Sequence, residues 1–183
     1  MADGKLEEQL RQAGLQIVGT CERLSGWPGL LQNSTLLQDF TLAEADILGA
    51  SMLLVKAQPG QLLIGEGEAS DWLMLLLSGT VEVGKRKVGA ASDSEDAGDI
   101  TRIAVLPEGA TLGEMSMLDG EPRYASCWAL SEVEAAVLTR AAVGGLIQRH
   151  PTIGAKLLVK LTQVLAQRLR NTSNQLVKAL RRD

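Results

Sequence analysis

The sequence has very few of the residues that bind metals or act as activated nucleophiles. Of its 183 residues one is a histidine, His150, and two are cysteines, Cys21 and Cys127. A histidine-cluster metal site or a four-cysteine iron–sulfur centre needs more such residues than these. Ser-His-Asp and Cys-His nucleophilic sites are equally unsupported. We therefore expect no metal, no bound cofactor and no enzymatic activity.

Aromatic residues and long apolar runs are also scarce. Aromatics make up 3% of the chain, so aliphatic side chains must fill its core. No apolar run approaches the length that crosses a bilayer, and the first thirty residues fit neither a signal peptide nor a transit peptide. The two distant cysteines indicate no disulfide framework. These absences predict a soluble protein of the reducing cytoplasm with no membrane span.

The charges are unevenly distributed along the chain. The net charge is −4, yet residues 151–183 hold seven of the 18 basic residues and one of the 22 acidic ones. A basic tail suits either an arm that touches nucleic acid or a solvated helix face whose cations favour its C-terminal end. The tail has no interleaved aromatic residues, which favours the solvated face.

Residues 113–126 combine groups that suit a bound anion. Gly113 allows a close backbone approach, and residues 114–118 are long enough for one helical turn whose free N–H groups attract a phosphate. Arg123 offers a planar fork for two phosphate oxygens. The carboxylate of Glu114 would repel a phosphate unless it accepts a hydrogen bond from a sugar hydroxyl. A phosphate and a sugar together indicate a nucleotide.

This stretch resembles the phosphate-binding cassette of cyclic-nucleotide-binding domains. That family includes the bacterial catabolite activator proteins, the regulatory subunit of protein kinase A and cyclic-nucleotide-gated channels. The spacing from the glutamate to the arginine is like that of the kinase subunit. The matching residues are Gly113, Glu114, Leu118, Pro122, Arg123 and Ala125.

The resemblance implies a role for each cassette residue. Glu114 would hold the ribose 2′-hydroxyl, and Arg123 would hold the cyclic phosphate. The remaining phosphate oxygens would be bound by backbone N–H groups, those of Met115, Ser116 and Ala125. Tyr124 departs from the family pattern, which has a small residue there, so its ring would narrow the pocket, stack on the ligand or block it.

Short apolar runs separated by glycine and proline turns between residues 52 and 139 predict seven or eight strands, typical of an antiparallel barrel or jelly roll. The resemblance specifies a mainly β fold with flanking helices: an antiparallel double-stranded β-helix, a jelly-roll or cupin-like β-roll, followed by a long C-terminal helix. We assign residues 39–150 to this roll with its short helices. Residues 85–99 are rich in Gly, Ala, Ser and Asp and predict a long mobile loop.

Residues 1–38 are weakly patterned and interrupted by glycines, which predicts an adaptable helical or irregular N-terminal wrap. Thr41 and Glu44 have the spacing of a capping box, so a helix is expected from residue 42 to about 50.

Residues 151–183 predict a long helix that begins at a proline. Leu157, Leu161 and Val164 would pack on the roll. A neighbouring seam has alternating spacings of four and three and predicts a parallel homodimer; a lone helix lying on its own domain is the alternative. The seam residues are Leu158, Thr162, Leu165, Leu169, Thr172, Leu176 and Ala179.

The segment 168–173 resembles the part of the catabolite activator dimer helix that meets adenine. The resemblance implies that Thr172 and Ser173 contact the base, one within its own subunit and one across the dimer. Both hydroxyls also suit ordinary seam positions. Domains that prefer guanine often carry threonine directly after the cassette arginine, where this chain has Tyr124, so cyclic AMP is favoured over cyclic GMP.

These observations predict a cyclic-nucleotide sensor whose ligand changes the docking of its C-terminal helix. Catabolite activators continue into a winged helix-turn-helix, whereas this chain stops at Asp183, so we expect no sequence-specific DNA binding and an unidentified protein as the output partner. The alternative is a dimeric interaction scaffold that has lost the nucleotide, with Tyr124 filling the pocket.

Overall fold

The computed structural model describes residues 2–27, 29–87 and 100–181, with side chains from residue 4 onwards. Its helices and strands alternate with short turns, and none of the described helices is both long and apolar enough to cross a membrane. The helices are α1 (Ala2–Gln12), α2 (Leu30–Asn33), α3 (Leu42–Gly49), α4 (Glu114–Asp119), α5 (Arg140–Arg149) and α6 (Pro151–Leu180). The strands are β1 (Gln16–Thr20), β2 (Leu53–Ala57), β3 (Leu62–Ile64), β4 (Trp72–Ser78), β5 (Val81–Arg86), β6 (Ile100–Leu106), β7 (Thr111–Leu112), β8 (Ser126–Ala129) and β9 (Val133–Thr139).

The strands form two antiparallel sheets. One sheet has the order β1-β2-β9-β4-β7, and the other has the order β3-β8-β5-β6. Together with the flanking helices and the long α6, this arrangement confirms the predicted β-roll.

The central strand β4 explains why its sequence is apolar without alternation. Leu73, Leu75 and Leu77 face a core shared with the helices, while Met74 and Leu76 face a second core between the sheets. Side chains of a strand point alternately to its two faces. Because both faces of β4 are covered, every position from residue 72 to 77 is apolar.

The N-terminal segment is more regular than its sequence suggests. Leu6, Leu10 and Leu15 are buried in the core between the sheets. After α1 the chain adds β1 to the edge of the first sheet, with Gln16 opposite Lys56 of β2. The sequence pattern predicted no strand here, because two polar residues and a glycine occupy three of its five positions.

Local signals placed the next helix correctly. The Thr41 hydroxyl accepts from the Glu44 N–H at 3.2 Å, and the Thr41 N–H donates to the Glu44 carboxylate at 2.8 Å. These two bonds form the predicted capping box at the start of α3.

The helix α6 has a packed half and an exposed half. Leu157, Leu161 and Val164 are buried, as predicted, whereas residues 169–180 are exposed. Lys156 pairs with Glu44 at 2.6 Å, and the largely buried Lys160 pairs with Asp39. These contacts fix the first half of α6 against the start of α3.

The predicted mobile loop is only partly within the described chain. Lys85 and Arg86 belong to β5, which is longer than the sequence pattern suggested. The rest of that prediction, residues 88–99, lies outside the described residues.

Candidate functional site

A cavity of about 330 Å³ lies among the second sheet, α4 and α6. We call it the central cavity. Its floor is apolar and its charged groups come from the cassette and from α6. The apolar lining includes Ile64, Val83, Ile103, Leu106, Leu112 and Cys127.

Gly113 places the start of α4 against the cavity wall. Its φ of +73° lies in the left-handed region that favours glycine. A Cβ at this position would lie 2.2 Å from Nη1 of Arg123. Glycine is therefore required here both by the backbone angle and by the close approach of the arginine.

Arg123 is held in place by the protein itself. Its side chain is 3% exposed, and it donates from Nη1 to the Gly113 carbonyl and from Nη2 to the Trp72 carbonyl, both at 2.7 Å. The guanidinium also lies over the Trp72 ring, 4.3 Å from the ring centroid. A guanidinium carries more N–H groups than these two bonds use. Its buried Nε has no hydrogen-bond partner among the described residues.

Arg123 remains a cation at neutral pH in spite of its burial. Burial lowers the pKa of Arg123 to about 10, and nearby acidic groups, including Glu68 and Glu114, oppose this shift. The cavity wall therefore presents a fixed positive charge with unused donors, which suits a phosphate.

Glu114 is fully buried but is not paired with Arg123. Its Oε1 accepts a hydrogen bond from Arg168 of α6, which also donates to the Thr111 carbonyl. Its Oε2 is buried and has no partner among the described residues. The site thus leaves one carboxylate oxygen ready to accept a hydrogen bond.

Sequence reasoning missed Arg168. Its place in the site could have been inferred from the helix period. Arg168 lies four residues before Thr172, a predicted site residue, and therefore on the same face of the helix. The resemblance in segment 168–173 points only to its two hydroxyl residues, Thr172 and Ser173.

The structure brings most of the predicted site residues together. The central cavity is lined by Gly113, Glu114, Met115, Ser116, Arg123, Tyr124, Ala125 and Thr172. Ser173 is exposed on α6 and is not among the lining residues of this subunit. Hydrogen bonding within α4 includes the Met117 N–H to the Gly113 carbonyl at 3.3 Å. Met115 and Ser116 come before Met117 in sequence. Their amides therefore lie in the first helical turn, where N–H groups lack intrahelical acceptors.

Tyr124 lies at the rim of the cavity. The residue is 59% exposed, and Nζ of Lys85 lies 3.4 Å from the ring centroid. The same ammonium donates to the Tyr124 carbonyl at 3.0 Å. Lys85 therefore holds the ring at the edge, and the ring does not fill the cavity.

Cys127, the thiol in the lining of the central cavity, is not in an activated state. Burial raises the pKa of Cys127 to about 12, so its thiol stays protonated at neutral pH. The residues that the structure describes include no group of three or more histidine, cysteine or acidic side chains placed to hold a metal.

Comparison with known proteins identifies this arrangement. The sequence pattern of the family described as "Cyclic nucleotide-binding domain" matches residues 54–150. The chain is 33% identical over 117 residues to the CRP-like cAMP-activated global transcriptional regulator of Mycobacterium tuberculosis. The aligned region covers 64% of this chain and 47% of that protein. The chain is also 31% identical over 120 residues to the cAMP-dependent protein kinase regulatory subunit of Yarrowia lipolytica. This aligned region covers 66% of the chain and 29% of that subunit. The chain thus spans less than half of the length of either relative.

A solved structure extends the similarity over nearly the whole chain. A cyclic nucleotide-binding domain from Methylobacillus flagellatus KT superposes with a TM-score of 0.77 at 32% sequence identity. The superposition covers 90% of this chain and 89% of that domain. The family pattern spans more than half of the sequence, and the cassette and the β-roll agree with it. This chain therefore belongs to the cyclic nucleotide-binding domain family.

Proposed function

We propose that this chain binds cyclic AMP, in preference to cyclic GMP, in the central cavity and acts as a non-enzymatic sensor in the cytoplasm. One observation carries the proposal: Arg123 and Glu114 are buried in the same cavity, are not paired with each other, and each keeps a polar atom without a partner in the described part of the chain. Buried groups of this kind cost free energy unless something bonds to them. A ligand with a phosphate and a neighbouring hydroxyl satisfies both.

The ligand chemistry follows from these unused atoms. The cyclic phosphate binds the remaining N–H groups of Arg123 and the first amides of α4, those of Met115 and Ser116, together with the amide of Ala125. The ribose 2′-hydroxyl donates to Oε2 of Glu114. Because Oε1 is already bonded to Arg168, the carboxylate is oriented before the sugar arrives.

The base lies towards α6. Thr172 lines the cavity and supplies a hydroxyl for adenine. Ser173 is exposed and meets a base only if it comes from a second copy of the chain, which favours a homodimer along α6. The exposed seam residues Leu169 and Leu176, 69% and 59% exposed, are the apolar surface for that dimer.

The output passes through α6 to a partner protein. Arg168 joins α6 to Glu114, the residue that binds the sugar, so a ligand changes the free energy of docking α6 on the roll. The size of the coupling equals the difference in ligand affinity between the docked and undocked states. The scaffold alternative relied on Tyr124 filling the cavity, and the position of that ring at the rim gives it no support.

The proposal is tested by thermal unfolding with cyclic AMP, 2′-deoxy cyclic AMP or cyclic GMP. A ligand at one hundred times its dissociation constant stabilises a protein by about 2.7 kcal/mol, and each kcal/mol raises the midpoint by roughly 2 to 4 °C at this size. We expect such a shift with cyclic AMP, a smaller one with cyclic GMP at the same concentration, and none with Arg123→Leu.

Two controls make the result specific. Arg102→Leu removes an arginine on β6 that pairs with Glu82 rather than facing the cassette, and it should keep the full shift. Glu114→Gln should bind the 2′-deoxy ligand and cyclic AMP with more similar affinities than wild type does. No shift with any of these nucleotides would refute the proposed function.

A further inference from the structure

A second cavity, of about 510 Å³, lies beside residues 65–72, the segment that bonds to Arg123. It is bounded by the end of α1, by β3 and by residues 65–72. Its polar lining consists of Gln9, Gln12, Glu68, Ser70 and Trp72, and Leu63 contributes to its apolar wall.

Two polar atoms in this wall have no partner. Nε1 of Trp72 and the hydroxyl oxygen of Ser70 are buried and lack a hydrogen bond among the described residues. Trp72 is 4% exposed. Native proteins rarely leave buried polar atoms unbonded, so such atoms require an explanation.

We propose that the second cavity binds a small uncharged or cationic molecule that carries both hydrogen-bond donors and acceptors. Trp72 offers a donor, and the side-chain amides of Gln9 and Gln12 carry both kinds of group, although Nε2 of Gln12 also donates to Glu8 at 3.4 Å. Glu68 is the ionisable residue of the lining, and the Arg123 cation lies behind the Trp72 ring, so the lining itself presents a carboxylate that favours donors over anions. A cyclic nucleotide, whose phosphate is an anion, is therefore not its ligand.

The second cavity is coupled to Arg123 through its shared wall. The Gly67 N–H donates to the Arg123 carbonyl at 2.8 Å, and the Arg123 N–H donates to the Glu68 carbonyl at 2.9 Å. Trp72 completes the link, because its carbonyl accepts from the guanidinium and its ring lies under it. A molecule that moves residues 65–72 therefore moves the backbone and the side chain of Arg123 together.

The test uses a pair of probes of the same shape, benzamide and benzoate, in ¹H–¹⁵N spectra of the whole chain. The indole N–H signal of Trp72 is assigned from Trp72→Phe. Benzamide should shift this signal saturably, with a dissociation constant on the order of millimolar, as expected for so small a ligand. Benzoate should not shift it. The indole signals of Trp27 and Trp128, which are not in the lining, serve as internal controls.

The variant Glu68→Gln tests the basis of the charge selection. It keeps the shape of the side chain and leaves the Glu68 backbone bond to Arg123 in place, so the fold should persist. Benzoate should then shift the Trp72 signal. Two results for the wild-type protein would overturn the proposed binding in the second cavity. One is an equal shift of the Trp72 signal with benzamide and benzoate, and the other is no shift with either probe at 50-fold the expected dissociation constant.

Coupling is read from the Nε–H signal of Arg123, assigned from Arg123→Lys. Benzamide should move this signal with the same midpoint as the Trp72 signal, and a stationary signal would disprove the coupling. Neither the Trp72 signal nor the Arg123 signal requires a nucleotide, so these measurements test the second site independently of the proposed function. If cyclic AMP binds, saturating benzamide should also change its affinity at least twofold, and cyclic AMP should change the benzamide affinity by the same factor.

Discussion

At the scale of single residues, Gly113 combines a backbone requirement with a packing requirement, and a matched variant separates the two. Gly60 has a similar φ of +83°, but no atom of the described residues lies within 4 Å of an added Cβ. Gly60→Ala should cost about 1 to 2 kcal/mol, from the left-handed backbone alone. Gly113→Ala should cost about 1 to 3 kcal/mol more, because the new methyl group meets Arg123.

Urea unfolding of the two variants measures this difference. Equal losses of stability would show that Arg123 moves away from the added methyl group at no cost. In that case Arg123 would be less firmly held than its bonds to Gly113 and Trp72 indicate.

The two thiols provide a second prediction at this scale. Burial raises the pKa of Cys127 to about 12 and that of Cys21 to about 11. The thiolate is the reactive species, so native protein at pH 8 should resist iodoacetamide at both residues. Mass spectrometry should show both thiols modified once the protein is unfolded in urea. Labelling of native Cys127 at the rate of a free thiol would contradict its burial under the central cavity.

Residue types alone indicated much of the site but not its bonding. The cassette pattern predicted Glu114 and Arg123 because a short motif contains both. It could not show that Arg123 bonds to two backbone carbonyls, since Trp72 lies 51 positions away in sequence. For the same reason the partner of Glu114, Arg168 on α6, was missed.

At the scale of elements, the contact between α3 and α6 gives a pH-dependent prediction. Glu44 belongs to the capping box and also pairs with Lys156, and these hydrogen bonds hold the pKa of Glu44 below its ordinary value. A carboxylate with a lowered folded-state pKa stabilises the fold above its unfolded pKa, and this contribution is lost as the pH falls through the folded pKa. Wild type should therefore lose stability below about pH 4.5.

Glu44→Gln is the variant that isolates this effect. At pH 7 its thermal unfolding midpoint should be lower than that of wild type. Between pH 5 and pH 3 that midpoint should fall less than the wild-type midpoint does. The measurement is thermal unfolding by circular dichroism across that range. Parallel curves for the two proteins would mean that the Glu44 contacts contribute nothing to the pH dependence.

Elements with their own local signals were predicted well, whereas elements that depend on distant partners were not. The capping box fixed the start of α3, and the apolar run of residues 133–139 coincides with β9. By contrast, β1 and the two-residue β7 exist because β2 and β4 offer them unpaired edges. No pattern within such short segments reveals a partner elsewhere in the chain.

At the scale of the whole molecule, the predicted homodimer is testable by analytical ultracentrifugation. Leu169→Glu places a charge in the proposed seam and should shift the protein towards monomer. Val159→Glu changes another exposed apolar residue of α6, one that lies outside the seam, so this variant should remain dimeric. If wild type is monomeric at micromolar concentration, the seam does not form a dimer.

The second cavity, beside the segment that bonds to Arg123, could not be foreseen from the sequence. The glycines at positions 65 and 67 predict a turn before a strand that begins at Trp72, and β4 begins at that residue. Residues 65–72 also line the second cavity because the end of α1 lies near them. They bond to Arg123, which is 51 or more positions away in sequence, so both properties belong to the folded chain.

The unpacked half of α6 has a mechanical consequence. Residues 169–180 are exposed along their length, and at about 1.5 Å per residue they span roughly 18 Å. A tilt of about 10° at the base of this arm would carry its tip through roughly 3 Å, a displacement obtained from that span. The lever is anchored where Arg168 reaches Glu114. Under the proposed function, a change at Glu114 that tilts this arm would move its tip far enough for a partner protein to detect.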